Sequence, residues 1–477
     1  MYYNDFSLTS FLIIVIGWYV CQSLAYFKFF EKAGKPSWIG FVPFYNYYIH
    51  MQIVGRPVWW VLLLFVPVVN FFVALTIHLD LLKSFGKYSY FDQAVGVILA
   101  PFYMLYVAFG NTKYLGKATE MPKTVKSTGK EWFEAIVFAV FAATFIRWVF
   151  MEAYVIPTPS MERSLLVGDF LFVSKLEYGP RTPKTPLQIP LTHAKIWGTE
   201  LPSYVSAVQL PQLRFPSLGQ VERGDVVVFN YPPEFEHPKD LRTHYIKRCV
   251  AIAGDTLEVR EGQVYINGEK QTNPPLMQMR YFLETDQVIR DRVFAGFNTW
   301  EYFPAYSLDN KKGYMVLTTP EDAERMKSLD FVKNVSVQLF PKERPEPRIF
   351  PDARYYQWNA DHYGPLEIPY RGMTFTADEY TIAKYGSTIK NYEEHESVEI
   401  KEDELFINGE KITQYTFNKN YYFMMGDNRH NSEDSRYWGF VSEDFVVGEA
   451  SFIWMSLDDK ESLLSKVRWS RLFRPIR

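Results

Sequence analysis

The chain has 477 residues, with 51 Lys and Arg against 54 Asp and Glu and a formal net charge of −3. That balance gives no basis for nucleic-acid binding, and two cysteines are too few for a disulfide framework. The mean hydropathy of −0.16 is that of an aqueous protein, yet long uncharged runs crowd the first 150 residues while the remainder is charged and rich in β-branched and aromatic types.

In chain order, three runs are long enough to cross a bilayer: Phe6 to Phe27, Val58 to Leu79 and Gln93 to Thr112. A fourth, Trp132 to Phe150, carries Glu134 near its start and Arg147 near its end, where their stems can snorkel to the interfaces. Lysine placement orients them. The first connection holds Lys28, Lys32, Lys35 and Arg56, and the third holds Lys113, Lys117, Lys123, Lys126 and Lys130, whereas the second has only Lys83 and Lys87. By the positive-inside rule the two basic connections are cytoplasmic, so the N-terminus and everything after Phe150 lie outside. The first run lacks the positive n-region of a cleavable signal peptide. The aromatic stretch Trp38 to Tyr48 is expected to be a membrane-surface or re-entrant element with an interfacial belt. Cys21 falls in the first run and Cys249 far beyond it, so both are expected to be free and structural, and no His or Cys run has metal-ligand spacing.

After Phe150 the runs FLFVSK, DVVVFN, YIKRCVAIAG, TLEVRE and QVYING, separated by Gly, Asp and Pro, predict an antiparallel β architecture. Gly262 and Gly268 suit tight hairpin turns. LEVREGQVYINGEK, Leu257 to Lys270, recurs as VEIKEDELFINGEK, Val398 to Lys411. Two similar hairpins follow, by duplication or by convergent use of NGE turns. Gln271 to Ser397 reads as a folded accessory subdomain with a helix near Glu321 to Ser328, and the proline-rich Gly179 to Leu218 as extended loops.

Three polar segments carry the chemistry: IPTPSM (Ile156 to Met161), HYIKRCVAIAGD (His244 to Asp255) and GDNRHNSEDSRYWGFV (Gly426 to Val441). A serine hydroxyl is a poor nucleophile until a base takes its proton, and an ordinary lysine is protonated at neutral pH. A lysine buried among apolar groups has its charged form disfavoured, and its neutral amine becomes a competent base. Lys247 follows Tyr245 and Ile246 and precedes Cys249, Val250 and Ile252, while Arg248 must point to the other face of the strand. Ser160 sits in a loop stiffened by Pro157 and Pro159. Alone, such a serine is ordinarily a turn residue and such a lysine a solvated edge charge. The Gly426 segment, by its composition a loop braced by side-chain to backbone hydrogen bonds, completes a recognisable set.

In this order the three segments resemble the type I signal peptidases, membrane-bound serine proteases that remove signal peptides from exported proteins. The resemblance covers roughly Trp132 to Lys270 and Ser397 to Trp454, with a further match at Gly224 to Phe229. It implies Ser160 as nucleophile, Lys247 as general base, Ser432 as the hydroxyl that orients the lysine, and Thr158 with the Ser160 backbone N–H as oxyanion donors. Asp434 and Arg436 match a structural ion pair near the site, and Ile156, Met161 and Ile246 are the positions expected to line shallow pockets for small residues. This chain departs at Arg163 and Ser164, where the family usually has Pro and Thr, and at Ala253, where it often has Pro. A histidine-based triad drawing on His193, His244 or His430 is the weaker reading.

The expected architecture is a multi-pass α-helical membrane region followed by a mainly β catalytic domain, the antiparallel fold of signal peptidases, with an inserted α+β or β-rich subdomain. Its divisions are 1–131 for three spans, 132–151 for the fourth, 152–270 with 398–477 for the catalytic domain, and 271–397 for the insertion. The implied activity is removal of signal peptides from exported preproteins by a Ser/Lys acyl-enzyme mechanism at Ala-x-Ala sites, without metal or cofactor. The implied location is the inner (plasma) membrane with the catalytic domain on the outer, extracytoplasmic face. Its partners are then preproteins and the lipid bilayer, with the export channel as a further candidate, and no nucleic acid. A membrane accessory that binds preproteins without cutting them keeps the fold but needs no dyad. A self-cleaving Ser/Lys repressor expects a DNA-binding domain and no spans, the reverse of this chain.

Overall fold

The computed structural model describes residues 8–66, 69–121, 128–307, 309–458 and 465–476. Phe6, Lys123 and Lys126 lie outside the described residues. The chain divides into two compact units: one ends at Ile146 and also holds Leu213–Pro216, and the other takes the rest from Arg147 onward.

The first unit is helical. Among the described residues two helices are long and apolar enough to cross a membrane, by windows at Leu12–Lys32 and Glu131–Val149. The first and fourth predicted runs are therefore long helices, Leu8–Lys32 and Thr128–Val149. The second and third are not single helices. Val58 to Leu79 is divided between Trp60–Leu63 and Val69–Ser84, and Gln93 to Thr112 between Tyr90–Ile98 and Phe102–Phe109. Pro101 has no N–H with which to continue a helical ladder across the second break. Trp38 to Tyr48 becomes a short 3₁₀ turn, Ser37–Phe41, and the start of a helix, Tyr45–Val54. Tyr26, Phe29, Phe30, Ile53, Leu81, Leu82 and Met104 form a shared apolar core. The turn lies directly on the first helix because residue 40 is glycine: a Cβ there would sit 2.7 Å from the Phe27 backbone nitrogen.

The second unit is built on an antiparallel sheet whose strands run in the order Met151–Val155, Asp169–Ser174, Val446–Ser456, Val226–Asn230, His244–Ala251, Tyr421–Met425 and Val441–Ser442. Alternation sends Val226 and Val228 to one apolar cluster and Val227 and Phe229 to another. This strand is thus buried on both faces and stands beside the strand that carries Lys247.

The two similar sequence segments fold alike. Leu257 pairs with Ile266 and Val398 with Ile407. Each ends in an Asn-Gly turn of positive φ, Asn267 and Gly268 in one, Asn408 and Gly409 in the other. In both, the asparagine Oδ1 accepts from the backbone at the hairpin start, Thr256 N at 2.9 Å and Ser397 N at 3.1 Å.

The stretch 271–397 is not one subdomain. Its first half forms a separate four-stranded sheet, ordered Asn334–Val337, Met279–Glu284, Lys312–Thr318, Tyr302–Tyr306, with its own core of Met279, Leu283, Phe294, Val316 and Met326. The predicted helix is there as Pro320–Lys327, capped by Thr319. The second half joins the main core instead, through Ile349, Tyr363, Leu366, Ile382 and Tyr385, and its strand Tyr363–Glu367 pairs with Thr256–Arg260. The sequence showed where the resemblance stopped, not where packing did. Between residues 179 and 218 only isolated bridges form, such as Gln188 with Tyr204.

Phe294, fully buried and stacked on Tyr302 at 3.9 Å between ring centroids, holds the separate core together. Phe294→Ala is expected to cost about 3–5 kcal/mol of local stability. Hydrogen exchange should then quicken in 277–339 and stay slow in the main sheet.

Candidate active site

Strand Met151–Val155 ends before two prolines, whose fixed φ holds the chain extended. Thr158 is extended (φ −131°, ψ 153°), and Pro159 opens a single 3₁₀ turn, Pro159–Met161. Ser160 lies in that turn and is 8% exposed. The turn is held from outside: Asn428 donates its backbone N–H to Ser160 O and its side-chain amide to Pro159 O, each at 3.1 Å. Met161 beneath it is fully buried, and its sulfur accepts the Asp427 N–H at 3.3 Å.

Lys247 stands in the middle of its strand opposite Val227, and is 4% exposed. Its Nζ donates to Ser160 Oγ at 2.7 Å and to Ile246 O at 3.0 Å, and lies 5.3 Å from the Tyr245 ring centre. Burial disfavours the ammonium and pulls its pKa down to about 8, against the opposing pull of the Asp434, Asp427 and Glu433 carboxylates.

Two of those acids, Asp427 and Asp434, are neutralised locally. Asp427 receives a forked pair of hydrogen bonds from Arg248, at 2.8 and 2.7 Å, and one from Ser164 Oγ at 2.6 Å. Arg248 does leave Lys247's face of the strand, yet it is buried in this ion pair rather than solvated. Asp434 and Arg436 form a second forked pair at 2.9 and 2.8 Å, fully buried, and Asp434 also accepts from Gly426 N at 3.1 Å. The guanidinium holds the Asp434 carboxyl below its usual range despite burial. Composition alone marks Asp427 only as part of a polar loop, although a carboxylate next to Gly in so dense a polar segment is a signal for it.

The remaining predicted residues fall as follows. Ser432 Oγ is enclosed beside the Asp434 carboxylate, which it helps to hold below its usual range, and among the described residues it makes no hydrogen bond to Lys247. Thr158 is exposed, and its side chain caps nothing. Ile156 and Met161 belong to one apolar cluster with Ile246 packed against it, but Met161 presents no surface to solvent. Glu162 sits behind the turn with its carboxyl pushed up to about 7, first by burial and then by Glu301. The histidines bond elsewhere. His430 accepts from Arg280 N at 2.9 Å, so its other nitrogen donates to Asp361 at 2.8 Å, and His193 pairs with Arg242 O at 3.1 Å. The His244 ring lies tilted against that of His193, 4.5 Å between ring centroids. Both cysteines are free, and among the described residues no cluster of His, Cys, Asp and Glu has the arrangement of a metal site.

The family described as "Signal peptidase, peptidase S26" matches residues 129–300 and 413–455, and a "Family of unknown function (DUF5684)" matches 38–117. The chain is similar to Signal peptidase I of Buchnera aphidicola subsp. Acyrthosiphon pisum, 28% identical over 348 residues, or 71% of this chain and 81% of the relative. It is 27% identical to that of Helicobacter pylori over 365 residues, covering 74% and 94%. With that of Aquifex aeolicus it shares 25% over 321 residues, covering 66% and 80%.

Gly426 is where the two loops meet. A Cβ there would lie 2.3 Å from Ser432 Oγ and 2.5 Å from Ser160 O. Gly426→Ala must push the nucleophile turn away, with an overpacking cost of about 1–3 kcal/mol, read as a lower melting temperature in detergent.

Proposed function

We propose that this chain, a serine peptidase of the signal peptidase S26 family, removes N-terminal signal peptides from exported preproteins with Ser160 as nucleophile and Lys247 as general base. The observation that carries this reading is the 2.7 Å hydrogen bond between Lys247 Nζ and Ser160 Oγ, made by an amine whose pKa is pulled down to about 8.

In this mechanism the neutral amine accepts the Ser160 hydroxyl proton as Oγ attacks the scissile carbonyl. The developing oxyanion accepts from the Ser160 N–H and from Thr158 Oγ1, which its exposed position leaves free to turn toward a bound peptide. Lys247 then returns the proton to the departing amine, leaving an ester on Ser160. Water, deprotonated by the same amine, attacks the ester and releases the signal peptide as a carboxylic acid. The Ser432 hydroxyl, which lies beside the Asp434 carboxylate, is in this reading the group that orients Lys247. Ile246, packed against the buried Ile156 and Met161 cluster, is in this reading the wall that admits only small side chains, which suits Ala-x-Ala sites.

Such an enzyme works where preproteins emerge from the export channel. The two long apolar helices and the basic connections fit a chain embedded in the plasma membrane, with Ser160 shortly after the last helix on the outer face. The two divided apolar runs would add to that anchorage as paired shorter helices.

Ser160→Ala and Lys247→Ala should each abolish cleavage of a preprotein bearing an Ala-x-Ala site, in detergent or membranes, while intact protein cuts after the small residue. If the variants cut as fast as the intact protein, the dyad is refuted.

The pH profile is a second check. Only the neutral amine is a base, so kcat/KM should rise about tenfold per pH unit below an apparent pKa of about 8 and level off above it. A profile flat between pH 6 and 8 would exclude Lys247 as the base.

A further inference from the structure

We infer that the separate sheet subdomain, 277–339, positions the nucleophile turn through an ion pair between Arg163 and Asp322; this rests on Ser160 being the nucleophile. Arg163 is three residues past Ser160 and holds a φ of 73°, a left-handed backbone that arginine adopts only when its surroundings demand it. What holds it is the subdomain. Its guanidinium donates to Asp322 Oδ2 at 2.8 Å and to the carbonyls of Phe297 at 2.6 Å and Asn298 at 2.9 Å. Asp322 is 4% exposed and fixed in turn by Thr319 Oγ1 at 3.2 Å and Arg325 at 2.6 Å.

The same subdomain grips the loop on the other side of Ser160. Gln278 N donates to Asp427 O at 2.9 Å and Gln278 O accepts from Arg429 N at 3.0 Å, forming a short parallel bridge. Glu301 receives the Asn431 side-chain amide at 2.7 Å and that of Asn428 at 3.4 Å, and Asn428 is the residue that holds Ser160 O and Pro159 O. The turn is therefore clamped from both sides by residues drawn from one accessory sheet. Small displacements of a reacting atom cost orders of magnitude in rate, so Arg163 and Asp322 act as positioning residues, with no contact to the reacting atoms.

The test uses the full chain in detergent with an Ala-x-Ala preprotein, comparing Asp322→Asn, Arg163→Ala, Arg163→Lys and Asp378→Ala. The last removes the N-cap of helix Glu379–Tyr392 and so loosens the inserted chain without touching the pair. Asp322→Asn and Arg163→Ala are expected to lower kcat ten- to hundredfold with KM within about twofold, and to quicken hydrogen exchange in peptides covering 156–166. Arg163→Lys should recover part of the loss, since lysine keeps the charge but not the fork, and Asp378→Ala should keep the intact kcat and exchange. Unchanged kcat and exchange in Asp322→Asn, or equal losses in Asp378→Ala, would overturn the inference. Intact protein that leaves the substrate uncut refutes the peptidase reading instead, and the exchange measurement still decides whether the pair holds the turn.

Discussion

The candidate site depends on the desolvation of one amine, that of Lys247. Moving the lysine pKa from 10.5 to about 8 means that the fold carries a penalty of about 3 kcal/mol at pH 7, where the unfolded chain would hold the proton freely. The sign is clear: the unfolded state binds the proton more tightly, so this term relaxes as pH rises from about 8 toward 10.5. A central strand is the economical place to impose it. Lys247 cannot swing to solvent because its strand is hydrogen-bonded on both sides, to Val226–Asn230 and to Tyr421–Met425, and the nucleophile turn covers the amine.

Burial alone would not suffice, because the Asp434, Asp427 and Glu433 carboxylates stand close by and each favours the ammonium. Asp427 and Asp434 are both fully buried, and each is matched to its own guanidinium in forked geometry. A lysine facing two uncompensated buried acids would stay charged. Arg248 and Arg436 thus act on Lys247 at a distance, by weakening the field that would otherwise favour its ammonium. The Asp434 pair also caps the short helix Ser435–Trp438 and reaches Arg429 O at 2.6 Å, so the loop that supplies neutralisation is built by the same ions it neutralises.

Much of this was legible in residues 156–161 and 244–255, because burial of a lysine in a β-rich run and a doubly proline-stiffened serine are local properties. The main sheet and the Asn-Gly turns were legible for the same reason: alternation and positive-φ residues act over a few positions. Two things were not. Hydropathy counts apolar residues without registering where a helix must break, so Val58 to Leu79 and Gln93 to Thr112 looked continuous although each is divided. The partition of 271–397 depends on long-range packing, with Ile382 and Tyr385 entering the main core and Phe294 a separate one, and nothing in either local pattern distinguishes them.

The departures from the family pattern make sense together once the partners are seen. Ser164 retains the hydroxyl that threonine would supply and spends it on Asp427, the acid paired with Arg248. Arg163 replaces a proline whose ring would have fixed φ near −65°, a value incompatible with the left-handed turn observed at 73°. The substitution and the accessory sheet therefore belong to one arrangement. A turn that proline would stiffen covalently is instead bent the other way and tied to Phe297, Asn298 and Asp322 through a side chain. Rigidity that could be written into the backbone has been transferred to a tertiary contact, and the nucleophile's geometry has become dependent on a subdomain with its own hydrophobic core.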